Sequence, residues 1–172
     1  MLISKYPQNK PKKVLYFSSS ASYPLNLQTK KNYRLLKEED INFSNVLGVP
    51  DYTYGWAKLT GEYLAQIAYK KHGIKSVCYR PFSGYGSDQD SNYPFPSIVL
   101  RAINHGSKKK FIVWGSGYQM RDFIHIKDVI RGSLLISKKI KNGKAINLSS
   151  GKFMSFISLS KKILKILGKK GI

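Results

Sequence analysis

The stretch Pro50-Asp51-Tyr52-Thr53-Tyr54-Gly55-Trp56-Ala57-Lys58-Leu59-Thr60-Gly61-Glu62-Tyr63-Leu64 decides how the rest of the chain is read. Within it, Tyr54 and Lys58 stand four residues apart. On a helix that spacing sets both side chains on one face, one turn apart. An ammonium beside a phenol favours the phenolate and lowers a pKa that otherwise sits near ~10. A tyrosine tuned in this way gives or takes a proton near neutral pH. The plain alternative is a surface helix made of common residues, since the chain holds 12 tyrosines. The sequence on either side has to decide between the two.

Working outward, Trp56, Leu59, Tyr63, Ala65, Ile67 and Ala68 continue an apolar stripe, which predicts a helix over Asp51 to His72 with Gly73 as its stop. A short apolar run lies on each side. Lys13 to Ser18 and Lys75 to Tyr79 read as buried strands of a parallel sheet. The first runs into the small-residue turn Ser18-Ser19-Ser20-Ala21-Ser22-Tyr23-Pro24. The second runs into Arg80-Pro81-Phe82-Ser83-Gly84-Tyr85-Gly86. Turns at the C-terminal ends of parallel strands are where open α/β sheets bind ligands. Leu25 to Pro50 has weak periodicity and reads as a surface excursion with a short turn around Leu35 to Asp40.

From Ser87 the texture changes. Asp88 to Pro96 is a polar loop, and a helix capped by Ser97 is expected from there to His105. Lys110 to Trp114 reads as a strand followed by the turn Gly115-Ser116-Gly117. Arg121 to Ile126 is strand-like, and Asp128 is placed as the cap of a helix over Val129 to Lys139. A short strand over Ala145 to Leu148 and an amphipathic helix over Ser158 to Leu167 complete the chain. The alternation of strand and helix gives an α/β fold.

Composition bounds the function. At 172 residues and 42% hydrophobic content the chain can bury a core. Cys78 is the only cysteine, so neither an internal disulfide nor a cysteine metal cluster is available. His72, His105 and His125 are scattered, and no metal site is expected. Met1 to Lys13 is polar and lacks the apolar core of a signal peptide, and no apolar run reaches the roughly 18–20 residues of a membrane helix. A cytoplasmic protein without membrane contact is the expectation. The net charge of +21 invites a nucleic-acid reading. Against it, only five of the 30 basic residues are arginine, and the lysines (Lys30-Lys31 and Lys108 to Lys110 among them) are dispersed. Specific readers lean on arginine and clustered aromatics. Nonspecific attraction to polyanions at low salt is the expected effect of the charge.

Four segments in order now carry a resemblance. They are the strand ending in Ser-Ser-Ser with Tyr23-Pro24 after it, Tyr54-x-x-x-Lys58, Arg80-Pro81-Phe82-x-x-Tyr85-Gly86, and Trp114-Gly-Ser-Gly-x-x-x-Arg121-Asp-Phe-Ile-His-Ile-x-Asp128. The set resembles the extended short-chain dehydrogenase/reductases, in their nucleotide-sugar epimerase/dehydratase branch, from about Lys13 to Ser150. The resemblance implies a catalytic triad of Ser19, Tyr54 and Lys58, with Ser20 as the alternative hydroxyl. Tyr54 removes a proton from a sugar hydroxyl while a nicotinamide takes hydride from the same carbon. Lys58 holds the nicotinamide ribose, and Pro81 and Phe82 pass the nicotinamide. Ser83 stands where many members have an asparagine that contacts the sugar nucleotide. Arg121 matches an arginine that pairs with the substrate diphosphate, a task suited to a planar, permanently charged fork. The strand over Phe111 to Trp114 is expected near the nucleotide base, and His125 and Asp128 read as structural.

The departures narrow the chemistry. Dehydratases of the family carry Asp-Glu just after the triad hydroxyl, decarboxylases carry Glu in the second of those places, and two-carbon epimerases carry cysteine there. Here the places hold Ser20 and Ala21. What remains is a 4-epimerase type of reaction, oxidation to a keto sugar and re-reduction, or a simple keto-sugar reduction. The glycine-rich strand–turn–helix that cradles the pyrophosphate of NAD or NADP does not occur before Lys13. The expected architecture is therefore the second half of a Rossmann-like parallel sheet with a small substrate-binding α/β subdomain. Residues 1–86 form the C-terminal half of the dinucleotide-binding domain and 87–172 mainly the nucleotide-sugar part, with 121–150 returning to the sheet. The cofactor site is expected to be incomplete in this chain, as in a truncated or split form. A homodimer, or a separate chain supplying the N-terminal half, would complete it. The competing expectation is a catalytically silent fragment or interaction module of the same family.

Overall fold

The computed structural model describes residues 11–29, 34–106 and 109–170. The polar stretch before Pro11, Lys30-Lys31, Lys108 and the C-terminal Gly171-Ile172 lie outside them. The chain divides into two compact units. One runs to Phe82 and takes up Asp128–Leu148 again; the other comprises Ser83–Lys127 and Ser149–Ile172.

The first unit is a parallel sheet under a long helix. β1 (Lys13–Phe17) pairs in parallel with β2 (Lys75–Pro81), Tyr16 opposite Cys78 and Phe17 opposite Tyr79. β2 in turn pairs in parallel with β5 (Asn142–Leu148), with a register shift between Ser76 and Cys78. The central strand is buried from Ser76 to Arg80, which explains its unbroken apolar run. β1 is an edge strand among the described residues, and Leu15 and Phe17, two apart and hence on one face, are 43% and 45% exposed. α1 (Tyr52–His72) covers the other face. It stops at Gly73, whose φ of 64° is left-handed and whose N–H bonds to the Tyr69 carbonyl. Lys70, Lys71 and His72 sit in its last turn, where the helix dipole favours cations. α3 (Ile126–Lys139) begins two residues before Asp128, so Asp128 lies in the first turn and is not the cap expected from the sequence.

The second unit holds the sheet β3 (Ser83–Tyr85), β4 (Met120–His125) and β6 (Phe153–Ser155), with β3 parallel and β6 antiparallel to β4. α2 (Pro94–Ile103) and α4 (Phe156–Ile166) pack together over a core of Ile98, Ala102, Phe111, Leu159 and Leu164. α2 starts earlier than the Ser97 cap implies: Pro94 and Pro96 occupy its first turn, where a missing N–H leaves no hydrogen bond unmade. The strand expected over Lys110 to Trp114 is absent. Phe111 is buried in the core, but Ile112 and Trp114 are exposed. The Ile112 carbonyl accepts a hydrogen bond from the Arg101 guanidinium, which also lies 4.2 Å over the Trp114 ring. A side chain from α2 thus does what a neighbouring strand would have done. No helix among the described residues is long and apolar enough to cross a membrane.

Candidate active site

Of the residues singled out by sequence, Ser19, Tyr54 and Lys58 lie where the end of β1 and its following turn adjoin the first turns of α1. Beyond Phe17 the chain enters a 3-10 turn, Ser20–Ser22, and Ser19 caps it: its Oγ accepts from the Ala21 N–H at 3.1 Å. The turn approaches α1 closely. The Ala21 carbonyl accepts from the Asp51 N–H at 3.3 Å, and a Cβ on Gly55 would lie 2.4 Å from that same carbonyl oxygen. Six residues further along, a Cβ on Gly61 would fall 2.1 Å from the Tyr16 ring. Gly55 and Gly61 are in the helix because the strand end leaves no room for a side chain.

Tyr54 and Lys58 are on this helix, one turn apart. The Lys58 ammonium donates to the Phe17 carbonyl at 2.9 Å and sits 5.5 Å from the Tyr54 ring centroid and 5.7 Å from that of Tyr16. Tyr54 is 53% exposed, so its phenol is open to a ligand. Tyr16, by contrast, points its hydroxyl at the Ala57 carbonyl, and burial together with the Glu62 carboxylate raises its pKa above the usual phenol value.

Beneath this surface lies a buried network that sequence reasoning missed. Glu62, one turn beyond Lys58, is wholly buried, and Arg80 is 2% exposed. Arg80 grips the carboxylate in a fork, Nε to Oε1 at 2.9 Å and Nη2 to Oε2 at 2.6 Å. Burial pulls the Arg80 pKa down, but the Glu62 carboxylate and its hydrogen bonds more than offset this and the net direction is upward. Oε1 of Glu62 also accepts from the Ser18 hydroxyl, which lies 3.0 Å from the Ser22 hydroxyl. On its far side Arg80 donates to the Tyr23 hydroxyl at 3.0 Å and to the Glu38 carbonyl, and stacks over the Tyr23 ring at 4.8 Å. The Tyr23 hydroxyl donates in turn to Asn147 Oδ1 at 2.7 Å. Burial raises the Tyr23 pKa against the pull of Arg80. The available signal was Arg80 itself, a charge directly following the apolar run Val77-Cys78-Tyr79, which needs a buried partner.

The remaining sequence candidates divide between the units. Pro81 ends β2, and Phe82, half-buried, donates its N–H to the Leu148 carbonyl and packs near Tyr23 at 6.3 Å between rings. Ser83 and Arg121 belong to the second unit. Ser83 opens β3 opposite Phe123, and Arg121 is exposed on β4, bonded to the Met120 carbonyl and 5.8 Å over the Phe156 ring. His125 accepts from the Lys127 N–H through Nδ1 and meets the Tyr85 ring edge-on at 5.1 Å. Cys78 is fully buried in β2. Among the described residues no cluster of His, Cys, Asp and Glu could hold a metal ion.

A parallel sheet whose strand-end turn meets a Tyr-x-x-x-Lys helix defines a class, and the comparisons give it a family. Residues 2–149 match the sequence model of the NAD dependent epimerase/dehydratase family. The chain belongs to that family. It is similar to the GDP-L-fucose synthase of Sinorhizobium fredii, 28% identical over 167 residues, covering 92% of this chain and 51% of that protein. It is also 28% identical over 137 residues to the dTDP-4-dehydro-6-deoxy-D-allose reductase of Streptomyces bikiniensis, covering 76% of this chain and 40% of that protein. Among solved structures, the UDP-glucuronic acid 4-epimerase of Bacillus cereus, in complex with UDP-glucuronic acid and NAD, superposes with a TM-score of 0.76 at 27% identity. That alignment covers 99% of this chain and 50% of the epimerase chain. The chain thus spans about half the length of the relatives it matches.

Proposed function

We propose that this chain carries the acid–base and nucleotide-sugar part of an NAD-dependent epimerase of the 4-epimerase type. The observation that carries the reading is the exposed Tyr54 phenol beside the Lys58 ammonium, itself anchored on the Phe17 carbonyl. Tyr54 takes the proton of a sugar hydroxyl and gives it back to the keto oxygen. Lys58 keeps positive charge beside the phenol oxygen as negative charge develops there. Ser19, or Ser20 next to it, holds the reacting oxygen, and Arg121 offers an exposed guanidinium to a diphosphate. A bound NAD would supply the hydride chemistry, accepting hydride from the same sugar carbon and returning it to the opposite face.

The residues present fit the nicotinamide end of that cofactor. Lys58 can turn a donor to a ribose, and Pro81 and Phe82 lie at the end of the central strand. A glycine-rich pyrophosphate cradle does not stand among these 172 residues, so that part of the cofactor would be held by residues outside them. The edge of β1, unpaired among the described residues and with Leu15 and Phe17 half exposed, suits the addition of further strands. Ser20 and Ala21 supply no acid for eliminating water, which sets dehydration apart. A keto-sugar reductase is the second reading; the reductase from Streptomyces bikiniensis among the relatives favours it.

The test is calorimetric titration of the folded chain with NAD, with and without a UDP-sugar, followed by assay for epimerised product. Expected are saturable NAD binding that Tyr54→Phe leaves intact and turnover that Tyr54→Phe abolishes. A folded chain that binds no NAD, alone or with a chain supplying the cradle, would instead be a catalytically silent module.

A further inference from the structure

Helix α1 holds the strand end at two successive levels. Lys58 bonds to the Phe17 carbonyl, and Glu62, one turn on, bonds to the side chain of Ser18, the next residue. Lys58 is within reach of solvent and of ligands. Glu62 is sealed off, and both its oxygens are already occupied by Arg80 and Ser18. It therefore touches no substrate. What it touches is the residue before Ser19, and through the Ser18–Ser22 hydroxyl pair it spans the whole 3-10 turn between them. Arg80 closes the arrangement from the other side. Its Nη1 reaches the Tyr23 hydroxyl, so the residue following the turn is tied to the same carboxylate as the residue preceding it.

We infer that Glu62, aligned by Arg80, is a positioning residue that fixes the Ser20–Ser22 turn and its cap Ser19 in register with Tyr54 and Lys58. The geometry has the redundancy such a role needs. A carboxylate accepting a bidentate guanidinium cannot rotate, so the Ser18 hydroxyl finds one acceptor direction only. With Ser18 and Tyr23 both held, the hydroxyl of Ser19 or Ser20 is presented at a fixed height against the helix. Loss of the grip would leave the sheet intact and let the turn move relative to the phenol. The inference rests on Tyr54 and the serine turn forming the reaction site, as argued above.

Ser18→Ala is the discriminating substitution, because it cuts the link to the turn and leaves the Glu62–Arg80 pair in place. Ser18→Thr keeps the hydroxyl and serves as the rescue. Amide hydrogen exchange of the full chain, read by NMR without substrate, reports the outcome, together with the ring 13C signal of Tyr54 assigned by Tyr54→Phe. In Ser18→Ala the amides of Ser22 and Tyr23, which close the turn onto the Ser19 and Ser20 carbonyls, should exchange at least about tenfold faster. The amides of Val77 to Tyr79 should keep their rates. The Tyr54 ring signal should shift, and Ser18→Thr should restore both readouts. Turn amides that exchange at the original rate, an unmoved Tyr54 signal, or acceleration spread equally over β2 would each overturn the inference. Because no cofactor or substrate enters the measurement, its failure is separable from a failure of the epimerase reading.

Discussion

Replacing Arg80 by methionine strands a carboxylate in the interior. Glu62 has no exposed surface, and Arg80 supplies two of its three hydrogen bonds. Breaking a buried pair by removing one partner costs about 3–5 kcal/mol, since the remaining charge must stay unpaired or take up a proton. The loss of the Arg80 bonds to Tyr23 and to the Glu38 carbonyl adds to this, though not as a simple sum, because these groups share one network. For a chain of this size the transition temperature moves by about 2–4 °C per kcal/mol, so Arg80→Met should melt on the order of 6–20 °C lower. The double substitution Glu62→Gln/Arg80→Met removes both charges and keeps an acceptor for Ser18. It should recover a substantial part of the loss, since replacing a buried ion pair by uncharged groups is often near neutral. Urea titration followed by circular dichroism on the wild type, both single variants and the double variant gives the interaction energy. A loss below about 1 kcal/mol for Arg80→Met, or singles that simply add in the double variant, would show that water reaches the pair and would refute the reasoning.

Three further outcomes are expected. Gly55→Ala should destabilise the chain although alanine is the better helix former: the new Cβ meets the Ala21 carbonyl oxygen at 2.4 Å, and overpacking of about 1–3 kcal/mol outweighs a propensity gain of about 1 kcal/mol. A thermal melt at or above that of the wild type would contradict this. Cys78, its thiol pushed up to about 12 first by burial and then by the Glu62 carboxylate, should resist a thiol-reactive disulfide reagent at pH 8 in the native chain and react only on unfolding in urea. Prompt native-state labelling would oppose it. Stability should also fall on the alkaline side. Tyr16, Tyr23 and Tyr79 all have phenols raised above 10.0 by burial, so the folded chain holds those protons more tightly than the unfolded one. Their contribution is whole below the ordinary value of 10.0 and is lost as pH rises through the raised values; that of Cys78 is lost between its ordinary 9.0 and about 12. A urea midpoint that is level up to about pH 9 and declines above it is the expected profile, and a midpoint constant to the highest pH reached would oppose it.

The sequence was most legible where one element obeys one period. β1, β2 and α1 were placed within a residue or two because their apolar spacing is clean and Gly73 terminates the helix. Legibility failed where tertiary partners replace local pattern. The run from Phe111 to Trp114 is unbroken apolar sequence, like a buried strand, yet it is Arg101 that satisfies the Ile112 carbonyl. β3 and β6, three residues each, are too short to leave a period. Pro94 and Pro96 looked like loop residues because a proline ends a helix everywhere except in its first turn. In the candidate site, spacing marked Tyr54 and Lys58, but the flanking motifs were needed to set them apart from an ordinary surface helix. Ser18 carried no such mark, because in a run of three serines nothing local says which one turns inward. That is decided by Glu62, 44 residues away.

The two glycines of α1 also bear on how the site comes into being. Each costs a helix about 1 kcal/mol relative to alanine, and helix nucleation in isolation is already unfavourable. A peptide spanning Tyr52–His72 should therefore be largely unstructured in water. Both glycines become an advantage only once Tyr16 and the Ala21 carbonyl are there to press against. The helix therefore owes its stability to β1 and the turn that follows it more than to its own sequence. Tyr54 and Lys58 keep their neighbourhood only while that contact holds, so local opening of β1 would disperse the acid–base pair and melt its helix together.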